Sequence, residues 1–138
     1  MNTDLFERKR YLSGNVLQMD KQYWFSSAYR KNKDITIIKV NTPRATLREA
    51  SNFQSFLVKI LENKNFNVII DFGNCEFIDS TFIGTIVKAF NKTISNSKNL
   101  SFVVHNKKQS TLFTMNKLDR IFGIYTNLEL ALERKNIS

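Results

Sequence analysis

The stretch from Asn67 to Phe90, NVIIDFGNCEFIDSTFIGTIVKAF, constrains what this chain can fold into more than any other. Val68, Ile69, Ile70 and Phe72 form a β-branched and aromatic run that stops at the Gly73-Asn74 turn signal, so a buried strand ends at Asp71 or Phe72. Beyond Asp79 the apolar period becomes helical. Ile83, Ile86, Val87, Phe90 and Ile94 fall at i, i+3, i+4, i+7 and i+11, one stripe that packs a helix of about three turns onto the sheet. Asp79, Ser80 and Thr81 therefore stand at a helix mouth, where a side-chain oxygen can accept from an orphan N–H of the first turn. Phe82 lies about 100° from the centre of the stripe, at the flank of the core and partly exposed. It reads either as a core-edge aromatic or as an anchor for a partner docking over Ser80.

The same period-reading orders the rest of the chain. Tyr23 to Tyr29 and Ile35 to Val40 are β-rich runs joined by the polar connection Arg30 to Asp34, an antiparallel hairpin. Leu47, Ala50, Phe53, Leu57, Ile60 and Leu61 keep helical spacing after Thr42-Pro43, and Asn63 to Asn65 ends that helix. After the polar gap Asn96 to Asn99 comes a strand from Leu100 to Val104. Leu112, Met115, Leu118 and Phe122 then mark one further helix, and Ile124-Tyr125 a short last strand. Thr126-x-x-Glu129 is a capping box opening a final helix with Leu128, Ala131 and Leu132 on one face. The order β-β-α-β-α-β-α-β-α implies an α/β fold, with a mixed, mostly parallel sheet of about five strands and four helices joined by right-handed crossovers.

Length argues for one domain, and 42% hydrophobic residues with 12 Phe, 4 Tyr and 1 Trp are enough to build a core. Residues 1–22, with Arg8-Lys9-Arg10 and little apolar periodicity, read as a solvated N-terminal extension to a domain at 23–138. No apolar run approaches the roughly 20 residues that span a bilayer, and the N-terminus lacks the apolar core of a secretory signal. A cytoplasmic protein without a membrane span is expected. Cys75, the single cysteine, excludes an internal disulfide and any cysteine-based zinc cluster, and with no base spaced to activate it reads as a passive loop or core residue. The net charge of +9 raises nucleic acid or an anionic membrane as partner, but the cations are scattered and no nucleic-acid motif occurs. Acidic protein partners fit such a field better.

Enzyme readings fare poorly. His105 is the only histidine, which rules out a His-based triad and a multi-histidine metal site, and the 4 glycines form no phosphate-binding loop. Asp71 and Asp79 are close enough in sequence to invite a Mg²⁺ site beside Ser80, yet a strand end and a helix cap are the simpler roles for them. Ser80 as a hydrolytic nucleophile lacks a base. The expectation is no catalysis, no metal and no cofactor.

Phe77-Ile78-Asp79-Ser80-Thr81 followed by Ile83-Gly84 resembles, position by position, the F-hydrophobic-D-S-S/T-G-L-G signature of the STAS domain, the fold of bacterial anti-sigma factor antagonists. Leu112-Phe113-Thr114-Met115 with Leu118 and Ile121 is similar to the L-F-x-M-x-x-L-x-x-I run of that domain's third helix. The resemblance covers about residues 23 to 135. It implies a phosphorylation switch in which the serine after the aspartate, here Ser80 rather than Thr81, is modified by a partner kinase. An anti-sigma factor or GHKL-type serine kinase would bind the unphosphorylated form, and a serine phosphatase would reset it. The implied contact surface is Asp79, Ser80, Thr81 and Phe82 with Thr42 and Arg44 of the loop after Val40. Two departures stand out. Phe82 replaces a usual Gly, and Pro43 falls where such antagonists carry the acid of a G-E-L/I-D-like turn. A second reading is a scaffold or subunit of a larger assembly, of the stress-sensing or lipid-transport kind, in which Ser80 does not turn over.

Overall fold

The computed structural model describes residues 20–62, 67–93 and 99–135. Five strands, β1 (Phe25–Arg30), β2 (Ile35–Val40), β4 (Asn67–Asp71), β6 (Asn99–Val103) and β7 (Gly123–Tyr125), form one sheet in the order β1-β2-β4-β6-β7. β1 runs antiparallel to β2 and every other pair is parallel. This is the mixed, mostly parallel α/β sheet expected from the alternation of strands and helices. Two short strands escaped the sequence reading: β3 (Arg44–Ala45) and β5 (Phe77–Ile78) pair in parallel as a separate two-stranded ribbon. A two-residue strand is too short for its periodicity to register.

Four helices cover the sheet: α1 (Leu47–Glu62), α2 (Ser80–Thr93), α3 (Lys107–Met115) and α4 (Leu128–Lys135). One face carries the main core, where Ala50, Phe53, Leu57 and Leu61 of α1 and Phe82, Ile83, Ile86 and Phe90 of α2 meet Ile38, Val40, Val68, Ile70 and Phe102. The opposite face is thinner. There Ala131 and Leu132 of α4 cover Ile35, Ile37, Ile69 and Val103. Burial on both faces explains why the central strands read as unbroken apolar runs.

Phe82 departs from expectation. It is 0% exposed, its ring 4.9 Å from that of Phe53 and 6.2 Å from that of Phe72. The stripe on α2 correctly marks what faces the sheet, but α1 lies alongside, so the flank of α2 meets another helix rather than water. Phe82 is a core residue, not a surface anchor.

Three boundaries also differ. β1 starts at Phe25 because Lys21–Tyr23 form a 3-10 turn. The helix expected through Phe122 ends at Met115: Asn116 Nδ2 donates to the Leu112 carbonyl at 2.7 Å, Lys117 turns left-handed at φ 59°, and Leu118–Arg120 form a 3-10 turn. Met115 is left 76% exposed. The last helix is capped by Asn127, whose Oδ1 accepts from Leu130 N at 2.9 Å, one residue later than the Thr126 box. Ile94, Asn63 to Asn65, Asn96 to Lys98 and residues 1–19 of the expected extension lie outside the described residues.

Candidate functional site

The loops that leave β2 and β4, both at the carboxyl ends of parallel strands, are laced into one surface. The Pro43 carbonyl accepts from Glu76 N at 2.9 Å and Phe77 N at 3.1 Å, and the Ala45 carbonyl accepts from Asp79 N at 3.0 Å. Asn74 Nδ2 donates to Asn41 Oδ1 at 3.1 Å. Backbone pairing of this kind aligns the start of α1 with the start of α2.

Asp79 completes that alignment. Its Oδ1 accepts from Phe82 N at 2.9 Å, the expected cap of α2. Its Oδ2 accepts from Leu47 N at 3.2 Å, the first residue of α1. One carboxylate thus caps two helix mouths, where the partial positive charge of both helix dipoles favours an anion. α1 has its own capping box, with Glu49 Oε1 accepting from Thr46 N at 2.8 Å and from Thr46 Oγ1 at 2.7 Å. The Thr46-x-x-Glu49 spacing carried that signal in the sequence. Asp71 has a separate task, since its Oδ1 accepts from Gly73 N at 2.7 Å and closes the turn after β4. A Cβ on Gly73 would come within 2.9 Å of that oxygen.

The loop from Phe72 to Asp79 is braced from beneath. Gln109 of α3 is buried; its Nε2 donates to the Cys75 carbonyl at 2.7 Å and its Oε1 accepts from His105 N at 2.6 Å. Cys75 is fully buried, donating from Sγ to the Phe77 carbonyl at 3.3 Å. Burial pushes its thiol up to about 12, so it is protonated at any physiological pH. The reading of Cys75 as a passive residue stands on that geometry.

On this frame Ser80 is the first residue of α2 and exposed, as is Thr81. Arg44 is exposed, with its guanidinium 4.5 Å from the centre of the Phe77 ring, a cation–π stack. Thr42 does not join this surface. It is 4% exposed and donates from Oγ1 to the Arg44 carbonyl at 3.1 Å, an internal tie of the loop. Of the six expected contact residues, the structure therefore brings Asp79, Ser80, Thr81 and Arg44 to one end, and turns Phe82 and Thr42 inward.

Sequence reasoning missed the apolar residues of this end. Phe77 is 41% and Leu47 70% exposed, and Phe77, Leu112 and Met115 line a groove of about 180 Å³ between β5 and α3. Arg48, Lys107 and Lys108 are exposed in the first turns of α1 and α3, and exposed Glu76 lines the same groove as Lys108. This end of the sheet therefore carries exposed apolar and cationic side chains beside the carboxylates of Glu76 and Asp79. Among the described residues no three His, Cys, Asp or Glu side chains come together in a way that could hold a metal ion, and no helix is long and apolar enough to cross a membrane.

Comparison with known proteins agrees with this architecture. A model of the STAS domain matches residues 26–131. A Thermotoga maritima protein named as a candidate anti-sigma factor antagonist is 26% identical over 106 residues, spanning 76% of this chain and 93% of its own. The crystal structure of a candidate anti-sigma factor antagonist from Thermotoga maritima superposes with a TM-score of 0.71 at 21% identity, covering 84% of this chain and 97% of that one. The anti-sigma factor antagonist SpoIIAA in its unphosphorylated form superposes with a TM-score of 0.59 at 12% identity, over 83% of this chain and 99% of its own. With the signature at the mouth of α2, the five-stranded sheet and the family match over most of its length, this chain belongs to the STAS domain family.

Proposed function

We propose that this protein is an anti-sigma factor antagonist that works as a partner switch, non-catalytic itself and controlled by phosphorylation of Ser80. The observation that carries the reading is the position of Ser80: exposed, first in α2, and directly after the carboxylate that caps both α1 and α2. A hydroxyl held there is open to an incoming kinase while its backbone is held by the cap.

Phosphate at Ser80 adds about −1.5 to −2 charges at the surface. Within the domain the helix mouth tolerates that anion, because the dipole and the first-turn N–H groups favour it. Across an interface the same charge must be desolvated beside Asp79, which repels an acidic or apolar partner. The partner would be an anti-sigma factor with serine-kinase activity of the GHKL type, opposed by a serine phosphatase. Support comes from SpoIIAA, which shares the fold, is named an anti-sigma factor antagonist and is described in both unphosphorylated and phosphorylated forms.

The test is affinity purification from source cells with wild-type, Ser80→Ala and Ser80→Glu proteins, followed by mass spectrometry and phosphosite mapping. A GHKL-type kinase retained by Ser80→Ala and lost by Ser80→Glu is the expected result. Label on Thr81 alone, or one set of partners for all three proteins, would replace the switch with a scaffold role.

A further inference from the structure

A second groove, of about 680 Å³, runs beside α2 on the side away from α1, floored by Ile83, Val87 and Leu118. Ser80, Gly84 and Lys88 follow one another along its rail, at the i, i+4, i+8 spacing that places side chains in a row on one helix face. The rail continues to Asn91, so it extends about 16 Å, the length of three helical turns.

Gly84 is the informative residue. It sits within α2, where glycine is less favourable than alanine. A Cβ there would meet nothing within 4 Å among the described residues, and the residue is exposed. The packing among the described residues therefore gives no reason for the missing methyl group. A close approach from outside does, since an absent side chain lets a second backbone come near.

We propose that this groove receives an acidic amphipathic helix of the partner, with Gly84 as the notch where the two helices come closest. The inference rests on the partner-switch reading and assigns the surface through which it works. A straight, apolar-floored track beside a helix fits another helix laid into it, read through anchors at i, i+3, i+4 and i+7. Acidic character follows from charge: among the described residues the lining holds Lys88 and no carboxylate, exposed Lys117 and Asp119 flank Leu118 and offset each other, and the chain carries +9 overall. Ser80 stands at the head of the same track, so a phosphate there opposes an acidic helix along its whole approach.

A peptide probe tests this directly. It is a designed helix of roughly 18 residues, since shorter helices are marginal in water, with leucines on one face, a central alanine and flanking glutamates; its control carries lysines for glutamates. Titrated into the ¹⁵N-labelled full chain, the acidic peptide should shift the amides of Ser80, Gly84, Lys88 and Leu118. The lysine peptide should bind weaker by a factor on the order of ten or more. Gly84→Leu should weaken the acidic peptide by a similar factor, and Gly84→Ala should do so less while melting no lower than wild type. Equal binding of both peptides, no binding, shifts centred on Phe77 and Met115, or full binding to Gly84→Leu would each overturn the proposal. So would concentration-dependent shifts at these amides without peptide, which would assign the groove to a second copy. Ser80→Glu separates the two readings. Loss with Gly84→Leu but not with Ser80→Glu keeps the groove and removes the switch, and the reverse pattern keeps the switch and removes the groove.

Discussion

Asp79 shows how one side chain in this protein serves two elements. Its two oxygens accept from the first turns of α1 and α2, so Asp79→Ala removes two caps at once. At about 1 kcal/mol per cap, a loss of about 2 kcal/mol in chemical denaturation is expected, with Asp79→Asn retaining part of it. Phe82 belongs to the interior: it touches Phe25, Phe53 and Phe72 within one aromatic cluster. Phe82→Ala should cost about 3–5 kcal/mol, and a loss under about 1 kcal/mol would contradict its burial. Cys75 makes a chemical prediction. With its thiol held at about 12 against an ordinary 9.0, the folded state binds a proton that the unfolded state gives up between those values. Stability linked to Cys75 is therefore complete below pH 9.0 and falls as pH rises toward about 12. At pH 9.0 the native thiol should resist iodoacetamide while the urea-unfolded chain alkylates rapidly. Ser101 is the opposite case, a buried Oγ with no hydrogen-bond partner among the described residues.

At the scale of elements, the site is a junction rather than a single loop. The ribbon of β3 and β5 fastens the loop after β2 to the loop after β4, and Gln109 fastens the second loop to α3. Gln109→Ala would leave the Cys75 carbonyl and the His105 amide without their partner, and a buried unsatisfied group costs about 1–3 kcal/mol. Hydrogen exchange should report the loss where it acts, as faster exchange at Cys75, Phe77 and Asp79 with the α1 amides little changed. Uniform acceleration across the domain would show instead that Gln109 supports the whole core. The early end of α3 belongs to the same junction. Asn116 and the left-handed Lys117 stop the helix, which leaves Met115 outside and brings Leu118 to the groove beside α2.

The whole molecule gathers the residues of the candidate site at one end of the sheet. Parallel strands β2 and β4 deliver their loops to the same edge, which is where helix mouths and ligand-facing loops collect in α/β folds. A chain of net charge +9 with Arg44, Arg48, Lys107 and Lys108 exposed on that end should steer an acidic partner electrostatically. Raising ionic strength from about 0.05 M to about 0.5 M should slow association by roughly tenfold or more while dissociation changes little, measured by stopped flow. An association rate indifferent to salt would mean that apolar contact alone brings the partner in.

Local order carried much of this protein. The strand at Val68 to Ile70, the helix after Asp79, the hairpin and the alternation that makes the sheet parallel all follow from apolar periodicity and turn chemistry, which act between residues close in sequence. The place of Ser80 at a helix mouth was legible for the same reason, because a cap, a hydroxyl and a helix stripe stand together within a few residues. What periodicity could not decide was which element lies beside which. Phe82 turned inward because α1 packs against the flank of α2, and Thr42 because its loop folds back on Arg44. The second cap made by Asp79, the brace of Gln109 and the exposed pair of Phe77 and Met115 all join residues some thirty or more positions apart. Those pairings are settled by packing in three dimensions, where burial of a shared face outweighs any preference written into neighbouring residues.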